Sequence, residues 1–245
     1  MLDRTAPDPT GTSPAEGGAS PAPGRRPRRL VVTDVDSTFI TAEVIELLAD
    51  HAGTREQVAA VTERAMRGEL DFAGSLRERV ATLAGVPVDA LDEVRDAVRL
   101  TPGAAELVAE SRRRGWEFGL VSGGFAEILE PIAADLGIRL WRANRLEVSG
   151  GRLTGRTVGP VVDRADKAAT LRRWAGECGL RMVDTVAVGD GANDLDMIDA
   201  AGIGVAFAAK PLVRAQAPFS IDGPRLDAVL EVIDRVDQAA GLAGE

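Results

Sequence analysis

From Leu30 onward the chain alternates short apolar runs with longer amphipathic stretches. Leu30-Val31-Val32-Thr33 is apolar and β-branched, and it stops at Asp34. Glu117-Phe118-Gly119-Leu120-Val121 stops in the same way at Ser122-Gly123-Gly124, and Val183 to Val188 stops at Gly189-Asp190-Gly191. Ile203 to Phe207 makes a fourth run. Runs of this length, rich in β-branched residues and bounded by Gly and Asp, predict buried strands. Between them, 104–115, 125–137, 165–179 and 193–202 read as helices, and 226–239 as a closing helix. This order predicts βαβ units around a parallel sheet, an α/β fold.

Two stretches break the alternation. Residues 41–100 have helical periodicity and no convincing strand, with breaks at Gly53 and Pro87 that divide them into four helices. That is too long for one crossover helix, and a small helical cap over the sheet accounts for it. The sheet-bearing core would then be 30–40 plus 101–245. Arg145 to Thr157 has polar-alternating arms around Ser149-Gly150-Gly151 and predicts a β-hairpin. Ahead of all this, residues 1–29 hold six of the thirteen prolines and almost no large apolar side chains. A segment that buries so little cannot offset its ordering entropy, so 1–29 is expected to be a disordered, Pro- and Arg-rich leader.

Composition narrows the function. A formal charge of −9 argues against nucleic acid or an anionic membrane as partner, since both need basic patches. A small anion remains compatible, because a few local cations can outweigh distant charge. No apolar run reaches bilayer length, the N-terminus has no apolar signal region, and Cys178 is the single cysteine. A reducing, cytoplasmic setting is the expectation. Only Lys167 and Lys210 are lysines among 29 basic residues, so each retained lysine raises the question of its use. His51, the one histidine, and Cys178 both read as structural.

The strand endings carry the candidate chemistry. In a parallel sheet the carboxyl ends share one edge, where open α/β sheets bind ligands. Asp34-Val35-Asp36, Ser122-Gly123-Gly124 and Gly189-Asp190-Gly191 would therefore meet. Three carboxylates, a hydroxyl and glycines suit Mg²⁺ shared with phosphate and water. Alone, each motif is equally an ordinary turn or cap. Ser122-Gly123-Gly124 is read as opening a helix, whose free N–H groups would face phosphate. In Gly189-Asp190-Gly191-Ala192-Asn193-Asp194 an acid fills the third glycine position of a dinucleotide fingerprint and would repel a pyrophosphate. No P-loop sequence occurs.

In order, Asp34-Val35-Asp36-Ser37-Thr38, Ser122-Gly123-Gly124, Asp166-Lys167 and Gly189-Asp190-Gly191-Ala192-Asn193-Asp194 resemble the haloacid dehalogenase-like phosphatases across 30–240. The resemblance implies a Rossmann-like parallel-sheet core with the helical insertion as cap. It makes Asp34 the nucleophile and Asp36 the proton donor and acceptor. Mg²⁺ would be held by Asp34, the Val35 carbonyl and Asp190, with Asp194 further out and Asp36 a weaker candidate. Lys167 would add positive charge for phosphoryl transfer. Ser122 and the Gly123 N–H would hold phosphoryl oxygens, and Asn193 would orient the site.

Within that superfamily the chain is similar to the phosphoserine phosphatases, through Glu43, Ala65-Met66-Arg67-Gly68, Phe72, Ser75 to Val80, Ala143-Asn144-Arg145-Leu146 and Ala208 to Pro211. The similarity implies Mg²⁺-dependent hydrolysis of O-phospho-L-serine, the last step of serine biosynthesis. Glu43 would bind the substrate ammonium and Arg79 its carboxylate, while Met66 and Phe72 close over it and exclude water. A phosphotransferase or a phosphatase for another small phosphomonoester could use the same site. So could a phosphoaspartate switch, although Asp36 would shorten the life of such a state. A homodimer is left open.

Overall fold

A computed structural model describes residues 15–16, 29–66 and 69–241 of the 245. Its centre is a sheet in the order β1-β4-β3-β2-β6-β7-β8. The strands are β1 (Ala15–Glu16), β2 (Leu30–Thr33), β3 (Glu117–Phe125), β4 (Leu140–Ser149), β5 (Arg152–Val158), β6 (Thr185–Gly189), β7 (Ile203–Phe207) and β8 (Phe219–Ile221). From β4 through β8 every neighbouring pair is parallel. β1 is antiparallel to β4 on the far edge, and β5 folds back on the second half of β4 as a hairpin. Both Gly150 and Gly151 have positive φ, the conformation a tight two-residue hairpin turn requires.

The helices are α1 (Val44–Ala52), α2 (Arg55–Met66), α3 (Phe72–Ala81), α4 (Ala90–Ala97), α5 (Ala104–Arg113), α6 (Ala126–Asp135), α7 (Arg164–Glu177), α8 (Leu195–Ala200), α9 (Pro211–Gln216) and α10 (Val229–Ala239). Alternation along β2 explains the layers. Val31 faces a core shared with Leu107 and Val108 of α5, Ile128 and Leu129 of α6, and Val232 and Ile233 of α10. Leu30 and Val32 face the other side, against Leu171, Trp174 and Ala175 of α7. A sheet covered on both faces needs continuous apolar strands, as β2 supplies. Trp174 is fully buried, and a side chain of that size is worth about 3–5 kcal/mol against Ala.

The insertion after β2 contains the four expected helices, and Gly53 ends α1 in a left-handed conformation. Its entry and exit lie side by side: Ile40 bridges Leu100, Thr41 N–H donates to the Arg99 carbonyl, and Thr101 N–H donates to the Phe39 carbonyl. A second tie joins the α3–α4 connection to the hairpin, where Gly85 and Leu153 and then Leu153 and Val86 exchange backbone hydrogen bonds.

Several boundaries differ from the sequence reading. Val183 and Asp184 belong to a short 3-10 turn, so the strand before Asp190 starts at Thr185. Leu140–Asn144 is a parallel strand beside β3 and continues directly into the hairpin arm. β8 and α9 fill a stretch assigned to neither state. Ser122-Gly123-Gly124 does not open a helix: it lies in the extended end of β3, and α6 starts at Ala126. Of the leader, Arg29 packs against Trp116 and pairs with Asp237, while Ala15 and Glu16 pair with β4. The remainder of residues 1–29 lies outside the described residues. Among the described residues no helix is long and apolar enough to cross a membrane.

Candidate active site

Asp34 follows β2, between the ends of β3 and β6, which pair with β2 on either side. Its N–H donates to the Val188 carbonyl at 2.8 Å, extending the ladder one residue past the strand and fixing the carboxylate at the sheet edge. Lys167 reaches the same point from the first turn of α7. Its Nζ donates to Oδ1 of Asp34 and, at 2.7 Å, to Oδ1 of Asp194, with no exposed surface of its own. The other Asp194 oxygen accepts from Gly191 N–H at 3.0 Å. Asp190 accepts from Thr38 Oγ1 at 3.3 Å. One oxygen from each of Asp34, Asp190 and Asp194 lies within 4.8 Å of the others. Three carboxylates facing one ammonium are a hard, anionic donor set that fits a divalent cation such as Mg²⁺.

The charges act on one another strongly. Burial first, and then the Asp194 charge, hold Asp34 well above the ordinary carboxylate range, with Lys167 pulling it down. Burial and Asp194 raise Asp190 to about 6. For Lys167 burial opposes the charge, but Asp194 and Asp34 outweigh it and the ammonium holds its proton more firmly than usual.

Asp36 belongs to a different environment. Its Oδ1 accepts from Val44 N–H at 3.0 Å, capping α1, and its Oδ2 accepts from Ser122 Oγ at 3.2 Å. Both contacts favour the anion, yet burial and the neighbouring Glu43 push it up to about 7. A Cβ on Gly124 would stand 2.4 Å from Asp36 Oδ2, so the approach of this carboxylate requires glycine there.

On the insertion, Glu43 precedes α1 and accepts from Ser37 Oγ at 2.7 Å. Ser37 takes φ +57°, an uncommon conformation that turns its hydroxyl toward Glu43 in the tight loop after Asp36. Arg79, on α3, is half-buried and donates from Nε to the Ser75 carbonyl at 3.3 Å. Burial lowers its pKa, while Glu43 and Asp36 favour its charge. Phe72 starts α3 with its ring tip over Gly123: a Cβ there would meet Phe72 Cζ at 2.7 Å. Thus Phe72 and Gly123 are in contact across the boundary between the insertion and the sheet.

Not every candidate sits as the sequence suggested. The Val35 carbonyl, expected to face a metal, accepts N–H bonds from Thr38, Phe39 and Ile40. The carboxylate of Asp36 is turned to Val44 and Ser122 and stands outside the Asp34–Asp190–Asp194 group. Asn193 folds its amide oxygen back against Gly191. The side chain of Met66 lies outside the described residues. His51 is half-exposed on α1, 3.9 Å from Glu93. Cys178 is buried, and burial pushes its thiol up to about 11, consistent with an inert role. Thr38, Ser37, Gly124 and Asn144 each lie inside a motif of the sequence, but no local signal marks their contacts.

Comparison with known proteins agrees with this geometry. The haloacid dehalogenase-like hydrolase pattern matches residues 31–199, and the chain belongs to that family. It is 52% identical over 225 residues to the phosphoserine phosphatase of Streptomyces coelicolor, covering 90% of this chain and 55% of that one. It thus spans little more than half of that relative's length. The phosphoserine phosphatase of Streptococcus thermophilus is 52% identical over 207 residues, 84% of this chain and 96% of its own. A solved structure described as a phospho-aspartyl intermediate analogue of phosphoserine phosphatase superposes with TM-score 0.79 and 38% identity, over 83% of this chain and 98% of that one.

Proposed function

We propose that this chain is a Mg²⁺-dependent phosphoserine phosphatase working through an aspartyl-phosphate. The observation that carries the reading is the pairing of two unlike carboxylates two residues apart. Asp34 lies in the ammonium and carboxylate cluster, and Asp36 stands clear of it with a pKa near neutrality.

In this reading an oxygen of Asp34 attacks phosphorus, forming the Asp34–O–P bond as the bond from phosphorus to the serine oxygen breaks. Asp36 gives its proton to the departing alkoxide. Water then attacks phosphorus, its proton returns to Asp36, and the Asp34–O–P bond breaks to release phosphate. A group that must be an acid in one step and a base in the next works best with a pKa near the working pH, which suits a value of about 7. The Lys167 ammonium balances Asp34 and Asp194 and steadies charge on the transferring group. The Gly123 N–H and, once its proton turns from Asp36, Ser122 Oγ would receive phosphoryl oxygens. Asp34, Asp190 and Asp194 would hold Mg²⁺, which when bound neutralises phosphoryl oxygens and relieves the repulsion among these carboxylates.

The insertion is the specificity element in this proposal. A carboxylate at Glu43 and a guanidinium at Arg79 match the ammonium and carboxylate of serine. An ester lacking either group would leave a half-buried charge unpaired. Phe72 against Gly123 supplies the lid contact that excludes water.

Phosphate release from phosphoserine, phosphoethanolamine, 3-phosphoglycerate and p-nitrophenyl phosphate, with Mg²⁺ and with chelator, tests the proposal. The expected result is metal-dependent release with strong preference for phosphoserine. Equal rates across the panel would defeat the substrate assignment, and absence of release from every ester would defeat the phosphatase reading.

A further inference from the structure

Asn144 has no part in the chemistry above, yet it is 1% exposed and both ends of its amide are engaged. Nδ2 donates to the Gly123 carbonyl at 2.8 Å, and Oδ1 accepts from Val162 N–H at 2.8 Å. The partners fix which end is which, since a carbonyl can only accept and an N–H can only donate. The residue stands where the ladder between β3 and β4 fails: Val121 pairs with Arg142, but the next pair is Phe125 with Asn144. Ser122, Gly123 and Gly124 therefore fall outside the regular β3–β4 pairing, whose backbone partners would otherwise hold their peptides. The Asn144 amide replaces one of them.

The consequence runs through one peptide plane. Holding the Gly123 carbonyl fixes the plane between Gly123 and Gly124, because the peptide is rigid. The N–H of Gly124 in that plane donates to Ser122 Oγ at 2.7 Å. With its oxygen accepting, the Ser122 hydroxyl gives its single proton to Asp36 Oδ2. Val162, Asn144, Gly123, Gly124, Ser122 and Asp36 thus form one directed series of hydrogen bonds from the interior to the site.

We infer that Asn144 is a positioning residue: it orients the Gly123–Gly124 peptide, and through it the Ser122 hydroxyl, for phosphoryl transfer. This rests on the reading that Ser122 and Gly123 face the phosphoryl group. Asparagine is specific to the task. Leucine, branched at the same carbon, would leave the Gly123 carbonyl and Val162 N–H unpaired, and an ionised aspartate would turn an oxygen onto the Gly123 carbonyl. A protonated carboxyl, however, has one donor and one acceptor in nearly the same places as the amide.

The test is steady-state hydrolysis of phosphoserine by the full chain with Mg²⁺, comparing wild type, Asn144→Leu and Asn144→Asp across pH. Asn144→Leu is expected to lower kcat by about 100-fold while KM changes by less than about threefold, the split characteristic of lost transition-state positioning. Asn144→Asp should show a similar defect at about pH 8 and regain about tenfold, relative to wild type, by about pH 5.5 as the buried carboxyl takes up its proton. The Leu variant should show no such recovery, which separates loss of the hydrogen bond from general damage to the fold. An active wild type whose Asn144→Leu keeps kcat within about threefold, or an Asn144→Asp/wild-type ratio flat with pH, would overturn the inference. A wild type that hydrolyses none of the phosphomonoesters would overturn the underlying phosphatase reading and this inference with it.

Discussion

The sheet edge and the helical insertion face each other across the site but are built on opposite terms. At the sheet edge, Asp34, Asp194 and Lys167 are buried, bonded to one another and mounted on or beside strands covered on both faces. Glu43, Phe72 and Arg79 on the insertion are only half-buried, and they sit on or just before helices joined to the core through paired crossings at Ile40 and Leu100 and a tie to the hairpin. Rigid placement suits atoms that must lie within a fraction of an ångström of phosphorus. An element with two tethers suits residues that must admit a substrate and then enclose it. Damage to the sheet edge should therefore remove chemistry for every ester, and damage to the insertion should remove preference among them.

The largest break is expected from Asp34→Asn, which removes the proposed nucleophile while keeping the shape of the site. Phosphate release should fall by at least about 10⁴-fold for phosphoserine and p-nitrophenyl phosphate alike. Comparable residual activity on one ester would show that Asp34 is not the common acceptor. Lys167→Met comes next and reports on stability as well. Removing one member of a buried ionic cluster costs about 3–5 kcal/mol, so the Tm of the metal-free chain should drop by roughly 10 °C, with part restored by Mg²⁺. Thermal melts with and without the cation check this, and an unchanged Tm would mean that Asp34 and Asp194 tolerate each other unaided.

Across the site, Arg79→Lys and Glu43→Gln should raise KM for phosphoserine by about 10–100-fold and leave p-nitrophenyl phosphate within about threefold. Proportionate loss on both esters would place these residues in the chemistry. A smaller effect should come from the contact between the two regions. Gly123→Ala puts a methyl carbon 2.7 Å from Phe72 Cζ, and the insertion must shift to make room. kcat/KM for phosphoserine should fall about tenfold, and Phe72→Leu in the same chain should recover part of it.

How far the sequence discloses each region follows from where each residue finds its partners. β2, β6 and β7 are legible because a strand buried on both faces must be apolar throughout, and the catalytic candidates follow directly where each run stops. β4 is not, because Arg142 and Asn144 share a face with buried Leu140 and interrupt the apolar run. Their burial depends on partners that local pattern cannot reveal: Arg142 binds Asp166 through two bonds of 2.6 and 2.8 Å, and Asn144 binds Gly123 and Val162. Ser122 looks like a helix cap, but the helix is delayed to Ala126 while the chain stays extended beside Asp36. The tight turn to Ile40 likewise engages the Val35 carbonyl in a way local pattern does not disclose. Three-residue β8 and six-residue α9 are too short for periodicity to register.

The finest test concerns Asp36, which belongs to the sheet edge by sequence and to the insertion by contact, since it caps α1. With its carboxyl at about 7, the acid form that the proposed mechanism requires is lost as pH rises through that value. Formation of the phosphoenzyme from phosphoserine, followed by rapid quench with Mg²⁺, should slow about threefold to tenfold between about pH 7 and pH 8. With p-nitrophenyl phosphate, whose leaving group needs no proton, the same limb should flatten. The sign for stability agrees. A carboxyl raised in the fold above its unfolded value contributes stability that is complete below the ordinary aspartate range and is lost as pH climbs through about 7. Asp36→Asn should therefore raise the Tm of the metal-free chain near neutral pH, by a few degrees, and have little effect near pH 4. A variant that loses turnover and is also less stable at neutral pH would mean that the α1 cap, and not the proton, is what this carboxyl mainly supplies.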